Sequence, residues 1–294
     1  MFRRALWIWP PGSAIKNVVV PIAAIVLGVS VAGGVSVAGH VFSQDDLVFS
    51  QDDLDKLLAT GVCEKCNLGQ VQLRDAALHG ANLQGANLRG ADLELCDMHE
   101  ANLIGADLRG ARLERADLSG VDLTGALLTG ADLEQADLIG ATLDYATFDG
   151  ADLEEANLSQ ANMLNIDFRN ANLKGAILDQ GSMSIAKLDH ANLERASLQD
   201  SMLRDASLEG ANLKDAILTG IVADGANFRA THLERAEMSG AILNRADFTG
   251  ATLKLTILNG TVLTDAKGLT QDQLDTACGN GDTRLPNGLT VGVC

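Results

Sequence analysis

Apolar residues recur at every fifth position over most of this chain. With the frame set on Leu83, 39 of the 40 positions from residue 68 to residue 263 hold Leu, Met or Phe, and Ala223 is the exception. Two residues before each lies a second small apolar column, with Ala at 29 of the 40 places. A period of five matches neither the 3.6-residue turn of a helix nor the alternation of a long strand. A spacing of two does put both side chains on one face of a short extended segment. The other three positions hold residues such as Asn, Asp, Thr, Glu, Arg and Gly, which face water or turn the chain. Each unit is therefore one short wall and a corner. Alone it cannot bury its apolar side, but a stack of units can, so the pattern predicts an all-β solenoid.

The units "ANLQG", "ADLRG", "ADLSG" and "ADLEQ" share the motif A(D/N)LXX and resemble the pentapeptide repeat family over residues 66–265. That resemblance implies a right-handed quadrilateral β-helix with four units per coil. Ten coils would form a rod roughly 48 Å long at about 4.8 Å per coil. Residues 20 apart should then stack. Phe148, Phe168, Phe228 and Phe248, the only Phe at central positions, all fall in one such column and are expected to pair inside the rod. At Ala223 the missing volume returns two residues earlier as Ile221. Ile166 beside Phe168 is crowded.

An open solenoid exposes strand edges, so short helical caps are expected at both ends. Before the coils "VFSQDDL" occurs twice, and Ser50 is placed to cap a helix bearing Leu54, Leu57 and Leu58 on one face. After them, Thr270 and Gln273 form a capping box, Leu269 and Leu274 a hydrophobic staple, and Gly279 a stop. The expected division is 1–42, signal or anchor; 43–65, amino-terminal cap; 66–265, repeats; 266–294, carboxy-terminal cap.

Residues 1–42 change the picture of where the rod resides. Arg3 and Arg4 precede an uncharged run from Val18 to Gly39, the order of an export signal or an amino-terminal hydrophobic helix. About 20 such residues suffice to span a bilayer, while Ser36 and Ala38 sit like a cleavage site. Cleaved signal and membrane anchor at residues 18–39 both stay open. Either places the remainder across the inner membrane, in a periplasm or thylakoid lumen. The five cysteines agree: Cys63 with Cys66 and Cys278 with Cys294 are candidate disulfides, and Cys96 is left over. At the "CEKC" end a metal or free thiols remain open alternatives.

No nucleophile–base pair, phosphate-cradling loop or metal motif stands out, so no enzyme, cofactor or metal is expected. His79 and His99 share a column but lack further ligands. Two outward features exceed a plain solvated surface. Glu94, Glu114, Glu134 and Glu154 form one column, flanked by Asp92, Asp132 and Asp152 and adjoined by Asp97, Asp117 and Asp137. Arg112 and Arg115 interrupt it, and Lys174, Glu194, Lys214, Glu234 and Lys254 continue it as a neutral ladder. Met202, Val222, Ile242 and Val262 form an apolar stripe where earlier coils carry Asn82, Asn102, Asp122 and Asn162.

The formal charge of −17 disfavours nucleic acid as a direct partner and favours basic ones. The reading is a non-catalytic scaffold whose partner is another protein or a second copy of itself, with a membrane contact where the amino-terminal segment is retained. The family resemblance implies an alternative, because some members mimic DNA and block DNA gyrase, a type II topoisomerase. Export speaks against that.

Overall fold

The computed structural model describes residues 35–37, 40–42 and 49–294. Most of the segment 1–42 and of the first "VFSQDDL" copy lies outside the described residues. The parts described there are β1 (Val35–Val37) and β2 (His40–Phe42), paired antiparallel. Among the described residues no helix is long and apolar enough to cross a membrane.

From Lys65 to Gly260 every fifth residue has a positive φ, between 52° and 74°. These are the corners. Gly80 takes the left-handed conformation without steric cost, whereas the β-branched Ile185 occupies it at a penalty. Between corners the wall residues bridge in parallel to the coils above and below. Leu83 N–H donates to Asn102 O at 2.8 Å, and Asn102 N–H to Ala81 O at 2.9 Å. Within the unit, Ala86 N–H closes the turn onto Leu83 O at 3.0 Å. The spacing of these bridges is 20 residues from Val62↔Asn82 to Asp247↔Lys267. It lengthens to 21 at Ile257↔Cys278 and 22 at Val262↔Arg284, where the tail leaves the repeat. The chain is thus a β-helix with four walls, numbered here from the units of Leu83 (wall 1), Leu88 (wall 2), Leu93 (wall 3) and Met98 (wall 4).

Both apolar columns point inward and form one continuous buried cluster from Leu54 to Ala277. Ile221 and Ala223 are both fully buried, as the volume swap requires. Phe228 and Phe248 stack at 5.0 Å with planes 1° apart, whereas Phe148 and Phe168 lie 5.2 Å apart and tilted by 41°. Ile166 takes the room that Ala226 and Ala246 leave beside the other pair, and the tilt is how the crowding is relieved. Polar residues in the small column satisfy the backbone. Thr231, Thr256 and Thr261 donate to the carbonyls of Leu208, Leu233 and Met238 at 2.7–3.0 Å.

At the amino end α1 (Gln51–Thr60) starts on Ser50, whose Oγ accepts from Asp53 N–H at 3.2 Å, and it buries Leu54 and Leu57 in the core. At the other end α2 (Gln271–Leu274) carries the Thr270–Gln273 capping box. It stops at Leu274 with Asp275 as its C-cap, not at Gly279. Gly279 instead belongs to β3 (Cys278–Gly279), which pairs in parallel with β4 (Gly292–Val293). The backbone of Cys278 continues the ladder of wall 4, so the chain is already extended there. Gln273 Nε2 donates to the carbonyls of Phe248 and Ala251 at 3.1 and 2.8 Å, and Thr283 Oγ1 to Leu258 O at 2.7 Å. Of these carbonyls, that of Ala251 is the kind a further coil would bind, as Asn102 N–H binds Ala81 O, whereas those of Phe248 and Leu258 already accept N–H groups within their own units.

Candidate functional site

The outward positions of a wall residue and of the residue after its centre are repeated every 20 residues, so whatever the sequence puts there forms a column about 4.8 Å apart. On wall 3 the acidic column divides into two environments. Glu94 is only 5% exposed, and it is held by Arg74 from one coil and by Arg112 Nη2, at 3.0 Å, from the next. Arg112 also reaches Asp92 at 3.4 Å. Glu94 and Asp92 are therefore neutralised structural anions, and the half-buried remainder of the acidic column begins after Arg112. The interruption read from the sequence is in fact an ion-pair network, because an arginine side chain is long enough to cross to the adjacent coil.

Beyond it come Glu114, Asp132, Glu134, Asp152 and Glu154. Arg115 approaches Glu114 at 3.9 Å, and Lys174 Nζ binds Glu154 at 2.6 Å. Asp132 and Asp152 accept the backbone N–H groups of Glu134 and Glu154 at 3.2 and 3.0 Å. Glu134, in the middle, has no cationic partner among the described residues, and its carboxyl is pushed above the usual glutamate value by desolvation, then by Glu114, Asp132, Asp152 and Glu154. Glu154 is shifted the other way by its hydrogen bonds from Lys174 and Asn172. The ladder expected further along does not close. Among the described residues no ion pair joins Lys214 or Lys254 to Glu194 or Glu234; Asn212 donates to Glu194 at 3.4 Å instead, and Arg235 pairs with Asp215 at the corner.

On wall 1 the ladder runs Met202↔Val222, Val222↔Ile242 and Ile242↔Val262, so the four apolar residues are direct neighbours. Met202 and Ile242 are 40% and 37% exposed, and Val222 and Val262 are half-buried. Around the preceding corner, Ile217 and Ile257 on wall 4 extend the patch.

Two features escaped the sequence reading. Wall 4 carries Asp97, Glu100, Asp117, Asp137, Asp179, Asp200 and Glu237 and no Lys or Arg over units 76–80 to 256–260. Sorting charges by their position modulo 20 would have found it. Second, Tyr145 and Ile185 occupy one corner column, 56% and 53% exposed, in a left-handed conformation that glycine accepts more easily. His79 and His99 stack at 5.1 Å, and His99 Nδ1 lies 2.7 Å from Ser119 Oγ.

The cysteines sit at the ends. Cys63 and Cys66 Sγ stand 2.05 Å apart, and Cys278 and Cys294 Sγ 2.04 Å. Cys96 is buried with its Sγ 2.8 Å from Leu73 O, and burial pushes its thiol up to about 12, so it stays protonated and unreactive. Beside Cys63 and Cys66 lies the Asp53 carboxylate. These three form the one group among the described residues with three or more His, Cys, Asp or Glu side chains close enough to share a metal ion.

Comparison with known proteins agrees with this architecture. The model of the family described as pentapeptide repeats matches eight times, over residues 62–220 and 224–266. The chain belongs to the pentapeptide repeat family. The break between the matches falls on Ile221–Ala223, where the two core columns exchange volumes. A comparison with curated proteins finds no match. Among solved structures, the chain is similar to HetL, a pentapeptide repeat protein involved in heterocyst differentiation regulation from the cyanobacterium Nostoc sp. strain PCC 7120. Identity is 32%, covering 69% of this chain and 91% of that one, with a TM-score of 0.34. A pentapeptide repeat protein from the Arabidopsis thaliana thylakoid lumen is 36% identical over 32% of this chain and 65% of its own, TM-score 0.31. QnrB1, a plasmid-mediated fluoroquinolone resistance protein, is 17% identical over 60% of this chain and 92% of its own, TM-score 0.35.

Proposed function

We propose that this protein is a non-catalytic scaffold, exported or held at a membrane by residues 18–39, that binds another protein through the outer walls of a ten-coil rod capped at both ends. The observation that carries the reading is the switch on wall 1 from Asn82, Asn102 and Asp122 to Met202, Val222, Ile242 and Val262. The repeat does not require that switch, because the same backbone accepts either kind of side chain. A ridge of this kind, roughly 15 Å long, contributes a few kcal/mol on burial at about 25 cal/mol per Å², enough to strengthen a complex that other contacts orient. Bridges Cys63–Cys66 and Cys278–Cys294 fit the oxidising side of a membrane.

Replacing Val222 and Ile242 together by Asn tests the contact. Self-association in ultracentrifugation or capture of the partner should be lost while circular dichroism is unchanged; association that survives refutes the role of wall 1. Export is tested separately by fusion at the carboxy terminus: alkaline phosphatase should be active. A second reading, a DNA mimic that binds a type II topoisomerase, is favoured by the cation-free wall 4, whose carboxylates present negative charge without compensation. Inhibition of gyrase supercoiling by the purified protein, together with an inactive phosphatase fusion, would select it over the first.

A further inference from the structure

We propose that Asp53, Cys63 and Cys66 bind a thiophilic divalent cation of the zinc class when the Cys63–Cys66 bridge is reduced. The inference is independent of the scaffold reading. The ligand atoms of the three residues lie within 4.8 Å of one another. They come from two elements that already meet there, α1 and the first turn of the solenoid. Asp53 is oriented before any ion arrives: its N–H donates to Ser50 Oγ at 3.2 Å, and its Oδ2 accepts Asn67 N–H at 2.8 Å. Such outer hydrogen bonds fix a ligating carboxylate.

The two cysteines are separated by two residues with Cα atoms 5.3 Å apart, a spacing that lets two thiolates share one tetrahedral ion. Both sulfurs are buried, while Asp53 is half-buried. Solvent therefore reaches the site from the carboxylate side, where water completes the fourth position. A carboxylate with two thiolates is a donor set suited to zinc and its cobalt substitute.

The chemistry balances as follows. A thiol reductant supplies two electrons and two protons, its own two thiols becoming a disulfide, and the Cys63–Cys66 S–S bond becomes two thiols. The cation then binds as both thiol protons leave to solvent. In the bridged state α1 is tied to the first turn through Asp53, which accepts Asn67 N–H; a bound ion would add a direct link from Asp53 on α1 to Cys63 and Cys66 in that turn.

The test is titration of the full chain with Co²⁺ in a phosphine reductant that does not chelate. One equivalent should produce thiolate-to-cobalt charge-transfer absorption and the visible bands of a tetrahedral ion, absent from the oxidised chain and abolished by Zn²⁺. Cys66→Ser should remove them, and a Cys278→Ser, Cys294→Ser double variant should keep them. Asp53→Asn, which preserves the shape at the helix start, should weaken Co²⁺ binding at least about tenfold with circular dichroism unchanged. Absence of charge-transfer bands in a folded reduced chain, bands that survive Cys66→Ser, or equal affinity in Asp53→Asn would each overturn the site.

Discussion

The coils around Asp132 and Asp152 and those around Val222 and Ile242 share the same inward columns, the same corners and the same 20-residue bridge spacing. They differ outside. The first present carboxylates on wall 3, with Glu134 lacking a cationic partner among the described residues; the second present an apolar ridge on wall 1. Fold and surface are thus written in separate positions of one five-residue unit. The central and small columns hold the rod together, and the outward positions are free to vary because nothing in the core senses them.

The hardest test of that separation sets Leu133→Asp against Asp132→Asn. The first buries an unpaired charge in a dry column and should cost more than about 4 kcal/mol, unfolding neighbouring coils. The second keeps the oxygen that accepts Glu134 N–H and should stay within about 0.5 kcal/mol. Equal denaturation midpoints would break the comparison.

The carboxy end should be the next most sensitive. Gln273→Ala removes the donor to the Phe248 and Ala251 carbonyls and should cost about 1–2 kcal/mol. Hydrogen exchange should accelerate first in the last coils and leave the middle of the rod protected; uniform acceleration would mean that the end does not fray separately.

Corners sharpen the division in the opposite sense. Ile185 holds a φ of 60° with an exposed, β-branched side chain. Ile185→Gly relieves strain of about 1–2 kcal/mol, partly offset by the freer unfolded chain, so the melting temperature should rise or stay level. A clear fall would show that this side chain contributes to the fold.

The smallest effect is electrostatic. Glu134 holds its proton more tightly folded than unfolded, owing to desolvation and then to its acidic neighbours. Its charged form therefore opposes folding above its raised pKa, and the penalty disappears as pH falls through that value. Asp107 and Asp215 behave oppositely: hydrogen bonds from Arg109 and Arg235 lower them, so their contribution is lost as pH falls through the lowered values. Stability should rise slightly as pH falls through the raised Glu134 value, then fall at lower pH as Asp107 and Asp215 take up protons. Glu134→Gln should remove the rise and keep the fall, measured by melting temperature across the range.

The five-residue period, the inward columns, the Phe column and the N-cap of α1 were legible in the chain because each depends on local chemistry and a repeat that counts itself. The volume exchange at Ile221 and Ala223 was legible for the same reason: both residues occupy one unit. Other features depend on how far a side chain reaches across coils. Arg112 looks like a break in an acidic column until the adjacent coil brings Glu94 and Asp92 within its span. The tilt of Phe148 on Phe168 follows from the space beside Ile166. The end of α2 at Leu274, short of Gly279, follows from the ladder that recaptures the backbone at Cys278. Asp53 joins Cys63 and Cys66 only because α1 folds back on the first coil. Periodicity determined the rod, since stacking identical units is the one way to bury their apolar sides. Which charges are neutralised, where the helix stops and which ligands converge were decided by the tertiary structure, because those contacts join residues about ten to twenty positions apart across coils and caps, where sequence neighbours say little.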